Sequence, residues 1–344
     1  MRAVRIHAHG SIGQLRYEEA PQPKLIFPED ALVKLKAASL NRLDISVRRG
    51  VNGTAVHLPR ILGADGAGVV AQVGAHVKNV KPGDPVCLYP LTGCGLCEFC
   101  ITDREFMCNQ SRVLGQAEDG TYAQYVRVPA RNCFPMPSHL GFEEGSTLPS
   151  VYLTVWRMLV TNAALKPGEQ ALILGIGGGT ALAALRVAAQ IGAAVIVTSR
   201  SDEKLARALS LGAQHAINSE SADFAKEVRQ LTGKRGVDLV VDCVGGKSWV
   251  KSLICLAKEG RLVTCGATAG VQARTDVRRL FWNHLRIFGS SFGSREEFRQ
   301  VLSFMEVTKT KPIIDQVFSL SATITAQKRL EEGKQFGKIV LRTD

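Results

Sequence analysis

From Lys166 onward the chain alternates short, wholly apolar segments with segments of helical period, and this alternation constrains the fold more than any other feature. Apolar runs at Ala171 to Leu174 and Ala194 to Thr198 flank a helical stretch reaching Gln190. Then come a helix over Asp202 to Leu211, a short strand at His215 to Ile217 and a helix over Asp223 to Leu231. The strand "VDLVVDCVG", a helix near Trp249 to Leu256 and the strand "GRLVTCG" complete the series. A strand that is apolar on both faces must be covered on both, which predicts an α/β fold with a doubly wound parallel sheet.

The N-terminal part follows a different grammar. "ALVKLKAASL" (Ala31 to Leu40) alternates, "GAGVVAQVGAHV" (Gly66 to Val77) is a strand with glycine punctuation, and "KPGDPVCLYP" predicts a turn and an edge strand that tolerates Pro85. These signals predict a β-rich, antiparallel domain. One helix is predicted to start near Phe142 and run through "LPSVYLTVWRMLV"; beyond Arg295 one more helix and two strands can return to the first domain.

Composition narrows the class. The 344 residues suit about two domains, and 45% hydrophobic with 22% charged residues excludes a disordered chain. The net charge of +12 is scattered, with no run of five like charges, so it predicts a solubilising surface rather than a nucleic-acid patch. Met1 to Ile12 has no continuous apolar core, and the most apolar stretch is broken by glycines, Arg186 and Gln190. The expectation is a cytoplasmic protein with no membrane partner, whose nine cysteines stay reduced or hold a metal.

Two motifs carry chemistry. The turn after the first apolar strand reads Gly175-Ile176-Gly177-Gly178-Gly179-Thr180-Ala181. Between a strand and a helix, such a turn lets backbone approach a pyrophosphate lying on the helix N-terminus. The second strand ends in Thr198-Ser199-Arg200-Ser201, with Lys204 one helical turn on. An acid there would accept from a ribose 2′-hydroxyl; here Arg200 and Ser199 offer donors instead, which predicts NADPH over NADH. Gly178, Gly179 and Thr180 are the expected pyrophosphate residues, and Ser199, Arg200 and Lys204 the 2′-phosphate residues. Cys243, Val244 and Gly245, ending the fourth strand, are expected beside the adenosine. Gly266, Ala267 and Thr268, after the next strand, are expected beside the nicotinamide ribose.

The second motif is Cys94, Cys97, Cys100 and Cys108, spaced C-x2-C-x2-C-x7-C in a loop over residues 93–108. Four thiolates fill a tetrahedral shell, leaving no place for substrate, so the reading is one structural zinc. Two disulfides or an iron–sulfur cluster are the competing readings. The other five cysteines, Cys87, Cys133, Cys243, Cys255 and Cys265, fall mostly in apolar elements and are expected as packing residues.

With "LNRLDISVRRG", "ILGADGAGVV", "VKPGDPV", the cysteine loop, "GTYAQYVRVP", the glycine turn, "GVDLVVDCVGG" and "GKIVL" in this order, the chain resembles the medium-chain dehydrogenases/reductases. That superfamily includes the zinc alcohol dehydrogenases and quinone oxidoreductases. The resemblance implies a GroES-like catalytic domain over residues 1–151 and 290–344, a Rossmann NAD(P) domain over 152–289, an active site in the cleft between them, and a homodimer or homotetramer. It also implies a catalytic zinc held by a Cys, a His and a later Cys or acid. Asn41, Ala64 and Ser150 stand at those positions, with Asp65 in place of the family's Glu.

A chain without those ligands is expected to be an NADPH-dependent reductase, passing hydride to a quinone or an α,β-unsaturated carbonyl without a catalytic metal. The alternatives are a zinc-dependent alcohol dehydrogenase acting on alcohols and aldehydes, and an inactive nucleotide-binding regulatory protein. The catalytic candidates are Asn41, Asp44, Arg48 and Tyr152, with Thr154 on the carboxamide. Asp44 and Arg48 are spaced to pair with each other on one helical turn and brace the fold, and Tyr152 also fits a core position. Loops over Val47 to Pro59 and Phe281 to Phe292 are expected to shape the substrate pocket.

Overall fold

The apolar runs after Lys166 form one six-stranded sheet in the computed structural model, which describes residues 1–51 and 56–343. The chain divides into two compact units, Thr154–Phe292 and a second built from Met1–Leu153 and Gly293–Asp344.

In Thr154–Phe292 the strands lie in the order His215–Asn218, Ala194–Ser199, Gln170–Ile173, Val237–Val241, Leu256–Thr264, Arg286–Gly289. Every pair is parallel. Numbered along the unit this is 3-2-1-4-5-6, the Rossmann order, whose direction reverses beside the first strand. Leu172, Ile196, Val240 and Leu262 are buried with Val228 and Leu253 on one face, and the alternating Ala171, Ile173, Val195 and Val197 are buried as well, so both sheet faces are removed from water.

The other unit is antiparallel in nearly all its pairings. Asp30–Ser39 lies at its centre, paired with Asp65–Val73, Tyr125–Pro129 and Lys338–Arg342. The C-terminal strands Ile314–Ser319 and Lys338–Arg342 pair with each other in parallel and join this sheet. One core cluster gathers Ile6, Leu40, Val47, Leu62, Tyr122 and Leu341; another gathers Val33, Val70, Val86 and Val126.

Two sequence expectations need correction. Pro85–Leu88 is not an edge strand: Cys133–Pro135 and Asp65–Val73 pair on either side of it. Pro85 is tolerated because it opens the strand, where a missing N–H costs no ladder bond. The helix expected from Phe142 is also not continuous. A single turn, Phe142–Gly145, gives way to wide π-turns at Leu148–Tyr152 and Arg157–Asn162 around Leu153–Trp156. The Ser146 and Thr147 hydroxyls donate to the carbonyls of Glu143 and Glu144, and Pro149 brings no N–H, so regular i to i−4 bonding fails there. Among the described residues no helix is long and apolar enough to cross a membrane.

Candidate active site

The glycine turn is pinned to the neighbouring strand end. Gly175 N donates to Thr198 Oγ1 at 3.3 Å and Ile176 N to the Thr198 carbonyl at 2.8 Å. Gly175 and Gly177 have φ of +71° and +116°, values that side-chain-bearing residues rarely adopt. Gly178 caps the helix Gly179–Ile191, which presents its unpaired N–H groups at the carboxyl end of the sheet.

Three further expected contacts lie at the same end. The Lys204 side chain runs across the turn, where a Cβ built on Gly177 would stand 2.7 Å from Lys204 Cδ and 3.4 Å from Nζ. Ser199 is buried and its Oγ accepts from Ser201 N at 3.2 Å, while Arg200 is exposed. The loops after the fourth and fifth strands are stitched together: Thr268 N donates to the Cys243 carbonyl at 3.3 Å and Ala269 N to the Val244 carbonyl at 2.8 Å. Gly266, Ala267 and Gly245 belong to these loops, and Thr154 begins this unit.

The zinc cysteines come together. Cys94, Cys97, Cys100 and Cys108 place their sulfurs within 4.8 Å of one another, with Cys94 and Cys100 at 3.9 Å. Zinc–thiolate bonds of about 2.3 Å in a tetrahedron require sulfurs about 3.8 Å apart, so this cluster fits the ion. Gly93 is required by the close approach, since a Cβ there would stand 2.4 Å from Cys100 Sγ. Backbone N–H groups of Leu96 and Cys97 point at the Cys94 sulfur and hold its thiol down to about 6. Burial, with neighbouring sulfurs, pushes Cys100 up to about 12, a crowding that a dication relieves.

In the antiparallel unit, Asn41, Asp65 and Ser150 share a hydrogen-bonded network around a residue the sequence analysis did not single out, Lys338. Its Nζ donates to the Leu40 carbonyl and to Asn41 Oδ1, each at 2.7 Å, and stands 3.5 Å from Asp65 Oδ2. Asp65 is fully buried and accepts from Asn41 Nδ2 at 2.8 Å and from the Ser150 backbone and hydroxyl at 2.9 and 2.5 Å. The available signal was a lysine inside an otherwise apolar terminal strand, "GKIVL".

The remaining catalytic candidates diverge. Asp44 accepts from Asn41 N at 2.7 Å and from the Tyr122 hydroxyl at 2.8 Å, and burial pushes its carboxyl up to about 6. Asp44 and Arg48 do not form the expected i, i+4 pair: Arg48 is buried against Gln327, the Gly10 carbonyl and Glu331. The two side chains leave the helix Arg42–Arg49 toward different partners. Tyr152 is buried in the π-turn Leu148–Tyr152. Of the loops expected to shape the pocket, residues 52–55 lie outside the described residues.

Known proteins resemble this chain over its whole length. The alcohol dehydrogenase GroES-like domain family matches residues 27–138, and the zinc-binding dehydrogenase family matches 179–307. A zinc-type alcohol dehydrogenase-like protein of Schizosaccharomyces pombe is 33% identical, covering 99% of this chain and 100% of its own. An NAD-dependent alcohol dehydrogenase of Sulfurisphaera tokodaii is 31% identical, covering 99% of both. A crystal structure of an NAD-dependent alcohol dehydrogenase superposes with a TM-score of 0.96 at 39% identity, with 100% of each chain covered. The cobalt- and zinc-bound thermostable alcohol dehydrogenase from Pyrobaculum aerophilum gives 0.89 at 31%, with 99% of each covered.

These relatives overturn the expectation of a metal-free reductase of quinones and α,β-unsaturated carbonyls, because alcohol dehydrogenases match both units from end to end. They give no support to the NADPH preference either, since the nucleotide in their names is NAD. In fold, in cysteine cluster and in sequence, the chain belongs to the zinc-type alcohol dehydrogenases of the medium-chain dehydrogenase/reductase superfamily.

Proposed function

We propose that this protein is a nicotinamide-dinucleotide-dependent alcohol dehydrogenase interconverting a small alcohol and its aldehyde or ketone. The observation that carries this reading is end-to-end similarity, at 31% and 39% identity, to alcohol dehydrogenases. When bound, the nicotinamide supplies the carbon that accepts or gives the hydride. The chain's contribution is to hold that cofactor. Gly178, Gly179 and Thr180 take the pyrophosphate, Thr154 the carboxamide, Cys243 to Gly245 the adenosine, and Gly266 to Thr268 the nicotinamide ribose.

The finer choice of dinucleotide is NADP(H). Thr198 to Ser201 contain no carboxylate to repel a 2′-phosphate, Arg200 is exposed at the strand end, and Lys204 lies over the turn.

The cysteine loop fits a structural zinc. Asn41, Ala64 and Ser150 do not fit a second one, since an amide, a methyl and a hydroxyl stand where thiolate or imidazole is needed and the Lys338 ammonium donates to Asn41 beside Asp65. On this reading Asn41, half-buried and held by Asp65 and Lys338, orients a substrate oxygen. Asp44 and Arg48 act through it as positioning residues by fixing Arg42–Arg49, and Tyr152 packs the adjoining interior.

The test is oxidation of primary and secondary alcohols, and reduction of the matching carbonyls, with NADP and NAD in parallel. The expected result is turnover with kcat/KM at least about tenfold higher for NADP, a difference of about 1.4 kcal/mol. A tenfold preference for NAD would overturn the cofactor choice, and no turnover of any alcohol or carbonyl would overturn the function.

A further inference from the structure

Cys243 and Cys265 follow adjacent parallel strands whose register pairs Val241 with Val263, so continuing that register sets the two cysteines side by side. Their sulfurs are 3.3 Å apart. Unlike Cys87, Cys133 and Cys255, which are buried, both retain partial exposure. The backbone around them is already tied, because Thr268 and Ala269 donate to the Cys243 and Val244 carbonyls and a Cβ on Gly245 would stand 2.7 Å from the Gly270 carbonyl oxygen. The adjacent carboxylate is occupied by Val244 N, Gly245 N and the Ser252 hydroxyl, which accounts for Asp242 without a catalytic role.

We propose that Cys243 and Cys265 are an oxidative modification site, a dithiol that a hydroperoxide converts reversibly into an intramolecular disulfide at the carboxyl end of the parallel sheet. Adjacent strands about 4.8 Å apart lie inside the Cα separation a disulfide accepts, and closing to about 2.05 Å requires side-chain rotation rather than strand movement. Either sulfur can donate to the other across 3.3 Å, and the contact holds Cys243 below the usual thiol range and Cys265 above it. Cys243 is therefore the attacking sulfur.

The chemistry balances with hydrogen peroxide as the oxidant. The Cys243 thiolate attacks one peroxide oxygen, forming a sulfenic acid as the O–O bond breaks and the departing hydroxide takes a proton to become water. The Cys265 sulfur then displaces hydroxide from the sulfenic sulfur, and its own proton completes the second water. Two thiols lose two electrons and two protons, and one peroxide becomes two waters. A dithiol reductant reverses the product.

The test treats the full-length, zinc-loaded protein with dilute hydrogen peroxide and maps its peptides. The expected product is a cross-linked peptide containing Cys243 and Cys265, lost on reduction. In Cys265→Ser the expected product is a sulfenic acid at Cys243, trapped by a cyclic diketone; in Cys243→Ser, position 265 stays a thiol. Both residues remaining free thiols, or becoming separate sulfinic acids without a cross-link, would overturn the proposal. A second readout rests on the function proposed above: saturating NADP is expected to slow cross-linking at least fivefold. A cross-link that forms at the same rate with NADP present leaves the dithiol site standing and removes Cys243 to Gly245 from the cofactor contacts.

Discussion

A buried carboxylate and a buried ammonium show how single residues set the behaviour of the antiparallel unit. Burial raises Asp44 from the ordinary aspartate range to about 6, outweighing the Asn41 and Tyr122 hydrogen bonds that oppose the shift. The folded chain therefore holds this proton after the unfolded chain has lost it, and stability falls as pH rises between about 4 and 6. Asp44→Asn keeps an acceptor for both partners and has no charge to bury. Its unfolding free energy relative to the parent is expected to rise by on the order of 1–3 kcal/mol across that window, read by denaturant titration at several pH values. A parallel pair of curves would refute the assignment. Lys338 poses the opposite case, since removing its charge strands Asp65 in the interior. Lys338→Met is expected to cost about 3–5 kcal/mol in the same measurement, and adding Asp65→Asn to recover a large part of it. Asn41, Asp44 and Asp65 stood out in the sequence, but their partner Lys338 did not, because it reaches Asp65 and Asn41 only through sheet pairing across 273 and 297 positions.

Elements were easier to read where one signal sufficed. The glycine turn, the helix behind it and the apolar strands were visible because each is specified by neighbouring residues. The segment after Phe142 does begin as a helix there, but apolar spacing gave no sign that Ser146, Thr147 and Pro149 would break its regular bonding into π-turns. The turn and the cysteine loop each carry a prediction. Gly177→Val places a branched side chain at φ +116° against Lys204, so it is expected to leave strand order intact but raise the dinucleotide Kd more than tenfold by fluorescence titration. Unchanged affinity would mean the turn does not touch the cofactor. Cys100→Ser removes one of four zinc sulfurs. Zinc content is expected to fall by about one equivalent per chain, with protease cleavage appearing within residues 93–108. Retained zinc would place the metal elsewhere.

At the scale of the whole molecule, the two units carry separate cores, and the proposed function gives them separate ligands, so they are expected to respond differently to dinucleotide and to metal. Residue pattern made the fold class readable, because both-face burial dictates a parallel sheet and alternation dictates an antiparallel one. The reaction was misread because it was inferred from three missing ligands, whereas the comparison of complete chains weighs every position. The separation of chemistry can be tested by amide hydrogen exchange. The glycine turn, the end of Ala194–Ser199 and the stitched loops after Val237–Val241 and Leu256–Thr264 all belong to Thr154–Phe292. At about a hundredfold excess over Kd, a dinucleotide bound there adds about 2.7 kcal/mol against opening, which slows exchange in the EX2 limit by about a hundredfold at those segments. A zinc chelator is expected to act on the other unit, raising exchange across residues 93–108 and at Leu91–Thr92 and Arg112–Val113, the paired strands flanking the loop. Strong dinucleotide protection confined to the cysteine loop, or chelator-induced exchange confined to the parallel sheet, would reverse the assignment of cofactor and metal to their units.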